Sequence, residues 1–284
     1  STSKIKITNF DSLEKIDLTN IDIIIDSSGK KEDINILKSL PVSAIFLTHP
    51  NNEADINVIL GVNEKDLNPN IHKIISTSSC NATALLPALK LINDKKEILC
   101  GDILTVHPLL NHQRVLDGSF VKSDTRDVNC NFEFGRSSTQ NIIPNKTTTI
   151  KACSFVLPNI NQNLISSSSL RVPTDTVGAI NVSLFTKEKS TKNEIIELFE
   201  EYEKNQNFPI VLNNFEPLVS SDFKKEKFTT IIDHRYTDVI NNMIKLLVWY
   251  DNEWGYASKV VEILKYYQDI KKGWVVKLTL FYFI

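Results

Sequence analysis

Three side chains of this 284-residue sequence stand where a protein could carry out chemistry on a small molecule: Cys80, His107 and Arg171. Cys80 follows the small hydroxyl residues 76–79, where a predicted strand gives way to an apolar helix. The unpaired N–H groups and the dipole of a helix N-terminus favour a thiolate, so we expect a depressed pKa for this thiol. A small structural cysteine at a helix start would give the same pattern.

His107 and Arg171 have both a functional and a structural interpretation. His107 ends a predicted strand and could deprotonate the Cys80 thiol and later act as an acid, or it could be a satisfied structural histidine. Arg171 is a single charge inside an otherwise uncharged strand, so it requires either a structural carboxylate or a substrate phosphate. If the Cys80–His107 pair is correct, Cys80 should alkylate faster than the other cysteines, which are Cys100, Cys130 and Cys153.

Two kinds of element must position these residues. Apolar, β-branched runs at residues 21–26, 44–48 and 73–77, with a helical pattern at 30–40, predict a parallel sheet with crossover helices. Longer strands follow, at residues 98–107, 167–173, 177–186, 228–233 and 244–250. Helices are predicted after the Thr191–Glu194 capping box and at 256–267.

These patterns predict an α/β plus α+β fold. An incomplete Rossmann-like parallel-sheet domain at residues 1–78 precedes a catalytic domain with a mixed or antiparallel sheet at 79–253. The helix at 254–267 is expected to pack back on the first domain. The apolar segment at 274–284, within a tail at 268–284, is either an added edge strand or an unpacked tail.

Composition excludes several classes of function. With 32 Lys+Arg against 34 Asp+Glu and no basic run, binding to nucleic acid is not expected. The sequence has no 18-residue apolar run, so no membrane span is predicted. The cysteines form no CxxC motif, so neither a metal site nor a disulfide framework is expected, which is typical of a cytoplasmic protein. The eight glycines are all at least 17 residues apart, which excludes GxGxxG, Walker and GxSxG motifs within this sequence.

Five motifs occur in a characteristic order: Ser79-Cys80 before a helix, His107 after a strand, QNIIP at 140–144, RVPT at 171–174 and WYDNEWGY at 249–256. The set resembles the glyceraldehyde-3-phosphate dehydrogenase family, from about residue 20 to about residue 265. The resemblance implies a phosphorylating aldehyde dehydrogenase that uses NAD or NADP and no metal. Its partners would be a small phosphorylated aldehyde and inorganic phosphate. The resemblance further implies a homo-oligomer, which in the family is a homotetramer.

The resemblance also implies roles for individual residues. Cys80 matches the nucleophile, His107 the base and Arg171 the arginine at the substrate phosphate. The residues that match the phosphate-binding positions are Ser79, Asn81, Thr147 and Thr148. The residues that match the cofactor-binding positions are Ser28, Gly29, Thr48, Asn252 and Tyr256.

The sequence departs from the family at several points. Asn81 and Ala82 replace two threonines of the family, and Leu110 replaces a third. The apolar Leu110, together with LVW at 247–249 and EWG at 253–255, is more similar to the erythrose-4-phosphate dehydrogenase branch. The segment at 118–139 is longer than its counterpart. The first βαβ unit with its glycine-rich turn has no match. We therefore expect weak NAD binding by this chain and an exposed sheet edge beside residues 21–26.

Two other functions use the same features. A non-catalytic family member could serve as a subunit or binding module. Alternatively, Cys80 and His107 alone would make a thiol hydrolase, for which no orienting Asn or Asp is identifiable.

Overall fold

The computed structural model describes residues 16–29, 33–118 and 132–271, together with the backbone of 278–281. Four features of the sequence lie outside these ranges. They are the start of the helix predicted from Lys30, residues 119–131 of the longer segment, Cys130 within that segment, and residues 274–277 and 282–284 of the tail.

A five-stranded parallel sheet is formed mainly by the first third of the chain. Its strands are β1 (Ile23–Asp26), β2 (Ala44–Leu47), β3 (Ile56–Asn57), β4 (Ile74–Ser76) and β13 (Leu278–Phe281), in the order β13-β1-β2-β4-β3. All four residues of β1 and all four of β2 are buried, as the continuous β-branched runs predict for a sheet covered on both faces. Helix α1 (Ile34–Ser39) connects β1 to β2, and the Asp33 side chain caps its N-terminus.

The end of the chain supplies the edge strand of this sheet. β13 pairs in parallel with β1, with Ile23 opposite Leu278 and Asp26 opposite Phe281. Of the two alternatives for the tail, the edge strand is therefore the one observed. The expectation of an open edge beside residues 21–26 is wrong, because the backbone groups of β1 on that side pair with β13.

The second sheet has eight strands of mixed direction. Its strands are β5 (Ile98–His107), β6 (Ile143–Asn145), β7 (Ile165–Arg171), β8 (Gly178–Thr186), β9 (Val211–Asn214), β10 (Thr230–Asp233), β11 (Asp238–Ile240) and β12 (Met243–Tyr250). The order is β6-β7-β5-β8-β12-β10-β9, and β11 pairs with β12. Three further helices are α3 (Thr149–Ser154), α4 (Lys192–Asn205) and α5 (Trp254–Ile270). The Thr191–Glu194 capping box at the start of α4 is confirmed.

Helix α2 (Cys80–Lys96) joins the two sheets. Three residues separate it from the end of β4, and it packs against β5, β8, β10 and β12 of the second sheet. One hydrophobic core contains buried side chains from both sheets and from α2 and α5. The predicted fold class is confirmed, whereas the domain boundaries stay a prediction. None of the described helices has an apolar stretch long enough for a bilayer.

Candidate active site

Cys80 is the first residue of α2, and the preceding turn aims it at the second sheet. Ser78 has a φ of 61°, a left-handed conformation that reverses the chain sharply after β4. Ser79 is the N-cap, and its hydroxyl accepts a hydrogen bond from Ala82 N at 3.3 Å. Cys80 is partly buried, as expected for a side chain at the mouth of a site.

His107 lies beside Cys80, as the sequence predicts for an acid–base pair. Its Nε2 is 3.9 Å from Cys80 Sγ, and its Nδ1 is 2.9 Å from the carbonyl oxygen of Pro108. Because a carbonyl oxygen can only accept, Nδ1 carries the proton and Nε2 is left as an acceptor. The imidazole is therefore in the tautomer that can take a proton from the thiol.

A hydrogen-bonded network surrounds the sulfur atom. Asn81 Oδ1 lies 3.6 Å from Cys80 Sγ and accepts a 2.6 Å hydrogen bond from the Tyr250 hydroxyl. Asn81 Nδ2 donates to Thr149 Oγ1 at 3.3 Å, and Thr149 Oγ1 is 2.6 Å from Thr147 Oγ1. We call Cys80, Asn81, His107, Thr149 and Tyr250 the thiol cluster.

Arg171 lies next to the thiol cluster with part of its guanidinium unpaired. It pairs in register with His107 across β5 and β7. Its Nε and Nη1 atoms are buried and have no hydrogen-bond partner among the described residues. Unpaired buried donors are costly, so this guanidinium is suited to an anion that enters the site.

The expected depression of the Cys80 pKa is wrong for the ligand-free chain. Burial raises the pKa of this thiol to about 11. The backbone N–H groups at the helix start and the Arg171 charge act in the predicted direction, but burial outweighs them. Burial, with the Arg171 charge, also lowers the pKa of His107 to about 4, so the resting pair is a neutral thiol and a neutral imidazole.

A second polar group lies at the carboxyl ends of β1 and β2. Buried Asp26 Oδ2, Ser27 Oγ and His49 Nδ1 have no hydrogen-bond partner among the described residues. Burial lowers the pKa of His49, and the Asp26 carboxylate partly offsets this. We call Asp26, Ser27 and His49 the strand-end cluster. Ligands of open parallel sheets bind at this edge.

The predicted residues Ser28 and Thr48 donate hydrogen bonds to Asp26 of the strand-end cluster. The backbone N–H and hydroxyl of Ser28 both donate to Asp26 Oδ1, at 2.9 and 2.7 Å. The Thr48 N–H and hydroxyl donate to the carbonyl oxygen of Asp26, at 3.0 and 3.1 Å. The first two bonds fix the Asp26 carboxylate, and the other two fix the Asp26 backbone at the end of β1.

A cleft of about 320 Å³ opens beside the strand-end cluster. Its lining residues are Gly29, His49, Pro50, Asn51, Asn52, Thr148, Lys151, Ala152 and Phe155. Gly29 has a φ of +69°, which a residue with a side chain adopts only with strain. The fold thus brings two predicted residues, Gly29 and Thr148, to one cleft; Cys80 and His107 are not among its lining residues.

The last two predicted cofactor residues make contacts within the protein. Asn252 Oδ1 accepts from Val177 N at 3.1 Å, which leaves its amide N–H₂ as the end that could face a ligand. The Tyr256 hydroxyl lies 2.9 Å from the Thr48 carbonyl oxygen and 3.0 Å from that of Ser78. Tyr256 therefore ties α5 to the ends of both β2 and β4, which accounts for its position without a ligand.

Sequence reasoning missed five polar residues of these clusters, Ser27 among them. Tyr250 is within the WYDNEWGY motif and Thr149 ends a run of three threonines, but neither pattern indicates a contact with Asn81. Asp26 and His49 follow the cores of two buried strands. Their positions at the carboxyl ends of parallel strands were the signal that could have found them.

A family model described as glyceraldehyde 3-phosphate dehydrogenase, C-terminal domain, matches residues 79–252. The chain is 33% identical to glyceraldehyde-3-phosphate dehydrogenase 1 of Bacillus subtilis over 257 residues. The aligned region covers 89% of this chain and 73% of that protein. It is 30% identical over 250 residues to glyceraldehyde-3-phosphate dehydrogenase of Geobacillus stearothermophilus, covering 87% and 72%.

Proposed function

Since the chain belongs to the glyceraldehyde 3-phosphate dehydrogenase family, we propose that it is an oxidoreductase that oxidises the aldehyde group of a small sugar phosphate with NAD or NADP as acceptor. The observation that carries this proposal is the placement of Cys80 Sγ 3.9 Å from an unprotonated His107 Nε2, beside the unpaired Arg171 guanidinium. A thiol, a base and an anion-binding arginine are the groups that thioester chemistry on a phosphorylated aldehyde requires.

The residues have defined tasks in this proposal. Cys80 Sγ attacks the aldehyde carbon while the thiol proton passes to His107 Nε2, and His107 gives that proton to the former carbonyl oxygen, which yields a thiohemiacetal. His107 then takes the hydroxyl proton as the same carbon loses a hydride, which leaves the thioester. Inorganic phosphate attacks the thioester carbonyl, the carbon–sulfur bond breaks and Cys80 is regenerated, with an acyl phosphate as product. Arg171 holds the substrate phosphate, and Ser79, Asn81, Thr147 and Thr148 are proposed at the attacking phosphate.

The cofactor side offers hydrogen bonds that a dinucleotide could use. Unpaired polar atoms at the carboxyl ends of β1 and β2, together with the amide of Asn252, offer hydrogen bonds to a polar ring and a ribose. Ser28, Gly29 and Thr48 would lie along the adenosine and ribose side of the cofactor, and Asn252 would orient its nicotinamide carboxamide. Tyr256 would support this site by holding α5 against the ends of β2 and β4. When bound, the nicotinamide ring would accept the hydride. The 284 residues contain no glycine-rich turn for a pyrophosphate, so weak NAD binding by this chain stays a prediction.

The identity of the sugar phosphate is a second proposal, and it rests on Leu110. Its backbone N–H donates to Gln113 Oε1 at 2.9 Å in a tight turn after β5. An apolar side chain here supports a tetrose phosphate such as erythrose 4-phosphate over glyceraldehyde 3-phosphate, and the two should be compared on the purified protein. The homotetramer and the cytoplasmic location implied by the sequence resemblance also stay predictions.

Substitution of Arg171 tests the proposal. With NAD and inorganic phosphate, reduction of NAD by glyceraldehyde 3-phosphate or erythrose 4-phosphate is followed by absorbance. Arg171→Leu should raise KM for the phosphorylated aldehyde about 10- to 150-fold, since a hydrogen bond to a charged group contributes about 1.5–3 kcal/mol. Arg171→Lys should recover part of this because an ammonium lacks the planar fork.

The control substitution is Arg136→Leu, because Arg136 is exposed and pairs only with Asp117 on the surface in the described part of the chain. It should leave KM unchanged. Unphosphorylated glyceraldehyde should be oxidised equally by the wild-type and Arg171→Leu proteins. An equal loss with both aldehydes would contradict the role of Arg171. No reduction of NAD with any aldehyde, at NAD concentrations that saturate the chain in calorimetry, would contradict the function.

A further inference from the structure

Two loops meet beside the thiol cluster, one after β5 and the other after β7. Val172 N in the second loop donates to the carbonyl oxygen of His107 at 3.0 Å, and Leu109 N in the first loop donates to that of Thr174 at 2.9 Å. His107 and Arg171 lie opposite each other where the two loops begin. A ligand that binds to Arg171 therefore lies next to both loops.

These loops keep buried donors without a partner in the described part of the chain. The unpaired atoms are Arg171 Nε and Nη1, Gln113 Nε2 and the Thr174 hydroxyl oxygen. Gln113 is 8% exposed, and its Oε1 accepts from Leu110 N, so the N–H₂ end of the amide is the unpaired one. Several donors that lack acceptors fit an anion with several oxygens, such as a phosphate group.

His112 lies in the same loop, within the turn closed by the hydrogen bond from Gln113 N to the Leu110 carbonyl oxygen. It is exposed, so a ligand that enters the site can reach it. Its imidazole is near the Arg171 guanidinium, since the Arg171 charge acts on it as it does on His107. Burial, followed by this charge, lowers the pKa of His112, so the imidazole is neutral in the ligand-free chain at neutral pH.

We propose that His112 is a specificity residue for the substrate phosphate, which it binds as the dianion together with Arg171 while it takes up a proton from solvent. The inference rests on the proposed function and names the protonation state of the substrate that the site selects. A phosphate dianion brings two negative charges against the single positive charge of Arg171, so the net field at His112 changes sign when it binds. The imidazolium then supplies the second positive charge.

The other groups around this site leave His112 as the acceptor of that proton. They are His107 on β5, Cys80 on α2, Tyr250 on β12 and Arg114 further along the loop. Burial raises the pKa values of Cys80 and Tyr250, so both are neutral acids. His107 is buried with a pKa of about 4, whereas burial opposes a charge on the exposed His112 less. No carboxylate of the described chain is among the groups whose charge shifts the pKa of Arg171 or His112.

The test is calorimetric titration of the full chain with glycerol 3-phosphate, which carries the phosphate but no aldehyde, in buffers of different ionisation enthalpy. The wild type should take up as much as one proton per molecule bound. Its Kd should rise with pH between about pH 6.5 and pH 8.5, since binding raises the pKa of His112 and this gain is lost above it. Titration of the phosphate itself, with a pKa of about 6, acts in the opposite sense at lower pH.

Two substitutions of His112 separate its charge from its shape. His112→Asn should bind without proton uptake, and its Kd near neutral pH should be about two- to fivefold higher, as for loss of an exposed ion pair. His112→Lys should recover the affinity, also without proton uptake, because an ammonium is charged before the ligand arrives.

His72→Asn is the matched control. His72 accepts from Asn68 N and precedes β4, at the end of that strand opposite to Cys80, so proton uptake and Kd should not change. Uptake that persists in His112→Asn, or that is lost in His107→Asn, would overturn the inference, as would the absence of binding to the wild type at millimolar ligand. The titration needs neither NAD nor an aldehyde, so reduction of NAD stays a separate test of the proposed function.

Discussion

The thiol cluster and the strand-end cluster lie at the ends of strands in different sheets, and they differ in how their polar atoms are used. In the thiol cluster, Asn81 joins Cys80, Tyr250 and Thr149 through its one amide group. In the strand-end cluster, one polar atom on each of Asp26, Ser27 and His49 is buried without a partner in the described part of the chain. The first cluster is organised by the protein itself, and the second has capacity left for a ligand.

This difference follows from the chemistry that each side is proposed to perform. A nucleophile and its base must be held in one geometry before the substrate arrives, so their contacts come from the protein. A cofactor that binds and leaves must supply the missing hydrogen bonds itself, because a donor or acceptor already satisfied by the protein gains little from a ligand. The comparison predicts that the two clusters respond differently to substitution.

Loss of the base in the thiol cluster should have the largest effect. His107→Asn removes the acceptor of the thiol proton, and general acid–base catalysis contributes about 10²- to 10⁴-fold to a rate. We expect kcat for NAD reduction to fall by about that factor, while NAD binding measured by calorimetry stays unchanged because the strand-end cluster is intact.

The matched control is His234→Asn. His234 is also buried, at 2% exposure, but it is bound between Asn213 and Thr237, away from both clusters. It should lower stability without lowering kcat of the remaining folded protein. If the two variants lose activity equally, His107 has a structural role and the thiol cluster is not a catalytic one.

The buried histidines should make the chain sensitive to acid. Burial lowers the pKa values of His107 and His234 from about 6.5 to about 4, so the unfolded chain binds these protons first as the pH falls. Stability should therefore be complete at neutral pH and fall between about pH 6.5 and pH 4, by at most about 3 kcal/mol per histidine.

Urea unfolding at a series of pH values measures this loss. His107→Asn and His234→Asn should each flatten the profile by a similar amount, since each removes one of the two linked groups. His49, whose pKa is also lowered, adds a further loss from the strand-end side. A profile that is flat over this range would show that these side chains are protonated in the folded chain.

The sequence predicted the fold much better than the contacts within the site. Buried β-branched runs, a capping box and the longer strands after residue 98 correspond to observed elements because each pattern is local. The short strands β3, β6, β9 and β11 were missed, since they lack the continuous apolar runs that identified the equally short β1, β2 and β4.

For the site, the sequence indicated the positions of Cys80 and His107 but neither the contacts of Asn81 with Tyr250 and Thr149 nor the electrostatics. The helix start and the strand end that carry Cys80 and His107 can be identified from sequence, and they do meet. The direction of the Cys80 pKa shift was wrong because burial depends on packing by Tyr250, Tyr256 and α5, which are far away in sequence. The parallel pairing of β13 with β1 likewise joins the two ends of the described chain.

The smallest expected effects provide the most direct test of the comparison between the clusters. Thr149→Val removes a hydroxyl that bonds with Asn81 and Thr147, so it should cost about 1 kcal/mol of unfolding free energy in urea. Ser27→Ala removes a buried hydroxyl without a partner in the described chain, and it should leave the ligand-free protein unchanged or slightly more stable.

Saturation with NAD should then reveal the role of Ser27. If the hydroxyl bonds with the nicotinamide nucleotide, the stabilisation that excess NAD gives should be about 0.5–1.5 kcal/mol smaller in Ser27→Ala than in the wild type. Thr149→Val should keep the full stabilisation, because its hydroxyl belongs to the thiol cluster. Equal stability losses in the two variants without NAD would mean that both clusters are satisfied by the protein, and the distinction between them would not hold.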